Sequence, residues 1–134
     1  MHKDFSRWHA KKSNLHQRGG TALFHEREVW WCSLGENIGY EQDGNGKDSA
    51  RPVVIVKKHN LELCLVVPLT AKLKKGKYYF PVDLVEGEKS AAILSQIRLI
   101  DRKRLLYKIE TLPKKVFTGL VEMLVAVNFP EREM

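Results

Sequence analysis

From Glu28 onward, apolar residues alternate with polar ones or form short continuous runs, a pattern typical of β-strands covered on one or both faces. The pattern predicts five strands and a short sixth near Leu105–Ile109. The five are Glu28–Leu34, Pro52–Lys57, Leu61–Leu69, Lys77–Val85 and Ala91–Arg98. So many short strands predict a mainly β domain.

The connections between these strands carry signals of their own. His59 and Asn60 predict a tight hairpin turn between the second and third strands. Pro68 and Pro81 indicate edge or bulged positions, because a proline cannot donate to a strand ladder. The glycine-rich polar stretch 35–50 is longer than most connections in compact domains, and it predicts a mobile binding loop.

The C-terminal segment from Pro113 to Val127 has helical periodicity, with Pro113 suited to the first turn. Its apolar stripe consists of Val116, Leu120, Leu124 and Val127. Short strands closed by one amphipathic helix predict a small barrel of the α+β kind. We place this barrel domain at residues 26–130.

Residues 1–25 form a separate N-terminal extension. Phe5 and Trp8 recur at helical spacing, Asp4 is a suitable N-cap and Gly19 and Gly20 end the pattern. Five basic residues against one acidic residue give this segment +4 of the total charge of +7. We expect a short basic helix that either docks on the barrel or binds a partner.

Composition then narrows the function. The chain has 134 residues, enough for one domain, and its net charge of +7 favours a polyanionic partner, nucleic acid first. The sequence contains neither an apolar run of about 20 residues nor a signal peptide, so we expect a cytoplasmic protein without membrane contact. Cys32 and Cys64 each lie within an apolar run, which favours two buried thiols over a metal site or a redox pair. We therefore predict no metal ion and no cofactor.

Four segments and the terminal helix follow one another at characteristic intervals. The segments are EVWWCSLGENIGYEQ, ARPVVIV, VVPLTAK and AAILSQIRLIDRKRLL. Together, from Glu28 to Val127, they resemble the MazF/PemK family of toxin endoribonucleases. The resemblance implies an SH3-like barrel of the MazF/PemK/CcdB type, a homodimer, cleavage of single-stranded RNA and neutralisation by an antitoxin protein.

The resemblance also implies roles for individual residues. Arg51 matches the arginine of the family's Arg-Pro motif and Thr70 the threonine that ends the third strand, both tied to catalysis. Four further positions match the family. Two of them, Glu41 and Ser95, are added to the catalytic set. The other two, Gln96 and Arg98, are added to the RNA-binding set. Some relatives use a histidine, an arginine and an aspartate as acid and base where this chain has Tyr40, Ile93 and Ser95. Activity here must then rest on Arg51 and Thr70 or be lost.

RNA binding needs a positively charged track and a surface on which bases stack. Tyr40 is the best stacking candidate, and Gln42 lies beside it in the loop. The candidates for the track are Lys57, Lys58, Lys72, Lys74, Lys75, Lys77, Arg98, Arg102, Lys103 and Arg104. Alternatively, these basic side chains are ordinary solvated surface residues, as most lysines in proteins are.

RNA can be cut without metal when its own 2′-OH attacks the adjacent phosphate, leaving a 2′,3′-cyclic phosphate and a 5′-OH end. Arg51 suits the charge role, because its planar fork can hold two phosphoryl oxygens and stays protonated. Thr70 can donate to the same oxygens or orient the 2′-OH. The general base stays open among Glu41, His59 and His25. Two other functions also remain open, a CcdB-like poison of DNA gyrase and a non-catalytic RNA-binding module.

Overall fold

The computed structural model describes residues 23–34, 50–72, 75–84 and 87–131. The basic helix expected within residues 1–25 therefore lies outside the described residues, as does the loop that carries Tyr40, Glu41 and Gln42. The described ranges contain all the strands of the expected barrel and its terminal helix.

The fold is mainly β, with one antiparallel sheet and one C-terminal helix, as the sequence pattern predicts. The strands are β1 (Glu28–Ser33), β2 (Ala50–Lys58), β3 (Leu63–Thr70), β4 (Tyr79–Asp83), β5 (Lys89–Ile93), β6 (Arg98–Asp101) and β7 (Leu105–Thr111). Helix α1 spans Lys114–Asn128, and short 3₁₀ turns occur at Leu94–Gln96 and Arg102–Arg104. Strand order is β4-β5-β3-β2-β1-β7, with β6 also paired to β3, and the sheet forms a small SH3-like barrel.

The predicted strand Ala91–Arg98 is wrong as a single element, because two strands and a 3₁₀ turn occupy this region. β3 pairs with β6 from Leu63 to Val66, but with β5 only at Leu69 and Thr70. The gap falls at Val67 and Pro68. Since Pro68 has no N–H to donate, an interruption of the ladder is least costly there.

The two proline predictions have different outcomes. Pro81 lies in β4, which is at one edge of the sheet, as expected. Pro68 lies in an interior strand, at the position where β3 changes partner. The hairpin between β2 and β3 is confirmed, but His59–Glu62 make it a four-residue loop. The Asn60 side chain closes it by accepting hydrogen bonds from the N–H groups of Glu62 (2.7 Å) and Leu63 (2.8 Å).

Alternation along the strands produces two apolar clusters, one on each face of the sheet. One cluster includes Trp30, Cys32, Val53 and Val66, together with Phe24 from the segment before β1. The other includes Val54 and Val67 and packs against the helix residues Leu120 and Leu124. Cys32 and Cys64 are free buried thiols, as the sequence predicts.

A buried carboxylate secures the start of β1. Glu28 accepts hydrogen bonds from the indole Nε1 of Trp30 (2.8 Å) and from the backbone N–H of His25 (2.9 Å). The His25 ring Nδ1 lies 3.1 Å and Lys108 Nζ 3.4 Å from the carboxylate. Burial acts to raise the pKa of Glu28, but these hydrogen bonds and the Lys108 charge together hold it below its ordinary value.

Helix α1 keeps one side against the sheet and the other in solvent. Its observed span agrees with the predicted segment to within one residue at each end. Within the described ranges, the structure has no helix with the length and apolarity that crossing a membrane requires.

Candidate functional site

Arg51 and Thr70 lie at the same end of β2 and β3. The last residue pair that joins the two strands at this end is Val53–Pro68, and Arg51 and Thr70 each lie two residues beyond it. Beyond this pair the ladders continue with other neighbours, β2 with β1 and β3 with β5. The two residues that the family resemblance assigns to catalysis therefore lie at one end of the strand pair.

The position of Arg51 is fixed by its neighbours. It pairs with Cys32 of β1, and Pro52 after it keeps its backbone extended. The side chain is half-buried, whereas Val53, the next residue on the same face, is fully buried. One guanidinium nitrogen, Nη1, is buried, so the side chain is only partly accessible at this end of the strand.

Thr70 is buried, with 5% of its surface exposed. It pairs with Ala91 of β5, and its Oγ1 accepts a hydrogen bond from the backbone N–H of Lys72 at 3.2 Å. This bond uses one lone pair of the hydroxyl and leaves its O–H free to donate. A donor at this position suits a phosphoryl oxygen.

Two more arginines lie around β1 and β3. Arg98 pairs with Val66, which lies four residues before Thr70 on the same face, and Arg104 donates from Nη1 to the carbonyl of Ser33 at 3.3 Å. Burial, helped by Cys64, raises the pKa of the Cys32 thiol to about 12, against the lowering effect of the positive charges of Arg104 and Arg98. Both arginines therefore act on the residue with which Arg51 is paired.

These arginines differ from the neighbouring Arg102. Arg102 Nε lies 3.4 Å from Glu62 Oε1 at the β2–β3 hairpin. In the part of the chain that the structure describes, no carboxylate forms an ion pair with Arg98 or Arg104. Their charges are therefore available to an anionic ligand. Of the arginines predicted for the RNA track, Arg104 therefore lies beside Ser33 at the end of β1, whereas Arg102 is paired with Glu62 at the hairpin.

The predicted track does not gather at one place. Lys57 and Lys58 lie six and seven residues from Arg51, which is about 20 Å or more along an extended strand. Lys58 Nζ sits 4.8 Å from the centre of the Phe24 ring. Lys72 and Lys75 are exposed and follow Thr70 on the β3–β4 connection, so they lie on the Arg51 side.

Ser95 and Gln96 belong to the 3₁₀ turn that separates β5 from β6. Ser95 is exposed and Gln96 half-buried. Both strands flank β3, so the turn lies beside the strand that carries Thr70.

The candidates for the general base fall in different places. His59 follows Lys58 in the far hairpin, and the His25 ring is bonded to Glu28 at the opposite end of β1 from Cys32. Neither histidine is near Arg51. Glu41, the third candidate, lies beyond the described ranges. Where the structure describes the chain, no three His, Cys, Asp or Glu residues are grouped as a metal-binding set.

Comparison with known proteins shows the family and the fold. Residues 25–127 match the model of the PemK-like, MazF-like toxin family of type II toxin–antitoxin systems. No curated protein sequence matches the chain. The family match covers β1 to the last full turn of helix α1, and it includes Arg51 and Thr70.

Solved structures show the same fold at low sequence identity. MazF (Form-I) from Deinococcus radiodurans superposes with a TM-score of 0.66 and 17% identity, covering 80% of this chain and 97% of that one. The toxin MazF-mt6 from Mycobacterium tuberculosis gives a TM-score of 0.61 and 20% identity, with 79% and 100% covered. A mycobacterial endoribonuclease solved in complex with its cognate antitoxin gives 0.61 and 14%, with 80% and 97% covered.

Proposed function

Because the chain belongs to the PemK-like, MazF-like toxin family of type II toxin–antitoxin systems, we propose that it is an endoribonuclease that cleaves single-stranded RNA without a metal ion. The observation that carries this proposal is that Arg51 and Thr70 lie at the same end of β2 and β3, each two residues beyond the Val53–Pro68 pair. An arginine and a hydroxyl at one end of a strand pair suit a phosphate that gains charge during the reaction.

In the proposed reaction the 2′-OH of RNA attacks the adjacent phosphorus, and the bond to the 5′-oxygen of the next nucleotide breaks. The 2′ proton passes to a base, and the leaving oxygen takes up a proton to become a 5′-OH. Arg51 stabilises the phosphorane with two parallel hydrogen bonds, and Thr70 donates to the same oxygens or orients the 2′-OH. The products are a 2′,3′-cyclic phosphate and a 5′-OH end.

Glu41 is our proposed base. Both histidines that could compete for this role lie at the far end of the barrel, in the hairpin or bonded to Glu28. Ser95 is placed with Gln96 on a turn beside β3, and we assign it to hydrogen bonding of the phosphate rather than to proton transfer. An exposed serine hydroxyl is a poor base at neutral pH, whereas a carboxylate is ionised there.

We assign the RNA track to the residues on the Arg51 side of the barrel. They are Arg98, Arg104, Lys72, Lys75 and Gln96, together with Tyr40 and Gln42 from the loop. Lys57 and Lys58 would contact only a longer RNA that continues to the far end of the sheet. This assignment predicts that the binding of short oligonucleotides does not depend on Lys57 and Lys58.

We also propose two protein partners, an antitoxin and a second copy of this chain. The mycobacterial relative solved with its cognate antitoxin supports the first. Strand β4 lies at an edge of the sheet, and a homodimer would cover exposed edges of this kind. Sedimentation that shows only monomer at micromolar concentration would rule out the dimer.

The test of the proposed function is incubation of the purified protein with single-stranded RNA in excess chelator. An endoribonuclease of this kind yields fragments with 2′,3′-cyclic phosphate ends. A CcdB-like protein would leave the RNA intact and trap gyrase on DNA, and a non-catalytic binding module would shift the RNA without cutting it. Intact RNA in this assay would refute the proposal.

A further inference from the structure

The 3₁₀ turn Leu94–Gln96 carries two candidate RNA contacts in a segment with little support from the sheet. β3 pairs with β5 at Leu69 and Thr70 and resumes pairing with β6 at Val66, so the turn lies between two ladders. No side chain caps its first turn. Short 3₁₀ segments have poor hydrogen-bond geometry of their own. The turn must therefore be held from outside.

Two hydrogen bonds to Leu94 supply that support. The Leu94 N–H donates to the carbonyl of Tyr78 at 2.8 Å, and the Leu94 carbonyl accepts from Nδ2 of Asn128 at 2.9 Å. The Leu94 side chain is fully buried in the cluster beneath helix α1. Both backbone groups and the side chain of the first residue of the turn are thus fixed, directly before Ser95 and Gln96.

The Asn128 amide has the right chemistry for this contact. Its Nδ2 also donates to the carbonyl of Leu124 in its own helix at 3.0 Å. An amide NH₂ has two donors, and here both point at carbonyl oxygens, which can only accept. The reverse orientation of the amide would set its own oxygen against two carbonyls. The residue thereby ties the last turn of α1 to the 3₁₀ turn.

We propose that Asn128 is a positioning residue for RNA binding, which fixes Ser95 and Gln96 beside β3 by holding the Leu94 carbonyl. The inference rests on the proposed ribonuclease function. Asn128 lies one residue beyond the segment 25–127 that matches the family. No periodicity in the sequence points to it.

The test compares Asn128→Ala with Asn60→Ala. Asn60 is a matched control, because its side chain also makes two hydrogen bonds to backbone groups, but in the hairpin at the far end of the barrel. We expect similar losses of thermal stability in both variants. Only Asn128→Ala should raise KM for a single-stranded RNA, by about five- to tenfold for one lost hydrogen bond, with little change in kcat. Asn128→Gln, which keeps the amide donor, should recover part of the loss.

Amide hydrogen exchange of residues 94–97 gives a readout that does not depend on activity. Exchange should become faster in Asn128→Ala and stay unchanged in Asn60→Ala. An unchanged exchange rate in Asn128→Ala would overturn the proposal whatever the cleavage activity of that variant. A faster exchange rate with an unchanged KM would also overturn it. A wild-type protein that does not cleave RNA would instead refute the proposed function, so the two failures are distinguishable.

Discussion

Arg51 and Thr70 lie at the same end of β2 and β3, each two residues outward from the Val53–Pro68 pair. They are 19 positions apart in the chain, and the intervening hairpin contains an irregularity between Ile55 and Lys57. Because of this irregularity, the pairing register near the hairpin differs by one residue from the register near Val53 and Pro68. The position of Arg51 relative to Thr70 thus depends on the whole β2–β3 hairpin.

Replacement of Arg51 tests the charge role. We expect Arg51→Ala to lower kcat by about 10²- to 10³-fold, because a preorganised donor to the phosphorane is lost. Arg51→Lys should recover little, since a point charge cannot reproduce two parallel hydrogen bonds. Single-turnover cleavage assays with circular dichroism spectra as a folding control measure both. An alanine variant that cuts at the wild-type rate would show that the site is misassigned.

Thr70 allows a test of its hydroxyl at nearly constant volume. Thr70→Val should slow cleavage by about tenfold and lower the free energy of unfolding by about 1 kcal/mol, because the bond from Lys72 N–H is lost as well. Thr70→Ser keeps the hydroxyl and should stay within a few-fold of the wild-type rate. Equal rates for the valine variant and the wild type would remove the hydroxyl from the mechanism.

The strands and the helix could be predicted largely from the sequence, but the break after Ile93 could not. The apolar run from Ala91 to Leu94 extends into the 3₁₀ turn, because Leu94 is buried there just as it would be in a strand. Periodicity records burial and not backbone hydrogen bonds, so it missed both the turn and β6.

The residues of the candidate site come from the family resemblance, and their placement could not be predicted from the sequence. Only the strand pairing shows that Arg51 and Thr70 lie at the same end of β2 and β3. The prediction of an RNA track from positive charge alone placed Lys57 and Arg104 in one group, although these residues lie at opposite ends of the barrel. Asn128 has no recognisable signal, because its partner Leu94 is 34 residues away in sequence.

Stability should depend on pH through Glu28. The folded-state pKa of this carboxyl is lowered, so its contribution is present above the unfolded-state value of about 4.3 and is lost as pH falls through the folded-state pKa. We expect the difference in unfolding free energy between wild type and Glu28→Gln to shrink as pH falls below about 5. Urea unfolding followed by tryptophan fluorescence at several pH values measures it. A difference that is constant from pH 7 to pH 3 would contradict the assignment.

The two thiols should be inert in the native protein. Burial, as the main cause, raises the pKa of Cys32 to about 12 and that of Cys64 to about 11, so neither forms appreciable thiolate at pH 8. Ellman's reagent at pH 8 should detect no thiol in the folded protein and two after unfolding in urea. Rapid reaction of one thiol in the folded protein would mean that the barrel interior opens.

The most direct test of the proposed reaction uses one substrate in two forms, an RNA oligonucleotide that is cleaved at a mapped position and the same oligonucleotide with a single 2′-deoxy nucleotide 5′ to that bond. Attack by the 2′-OH predicts that this one substitution abolishes cleavage at the site in excess chelator, while binding measured by fluorescence anisotropy changes by only a few-fold. Cleavage of the deoxy-substituted bond at the same rate as the unmodified RNA bond would contradict the mechanism, since the nucleophile would then have to be water or a protein side chain.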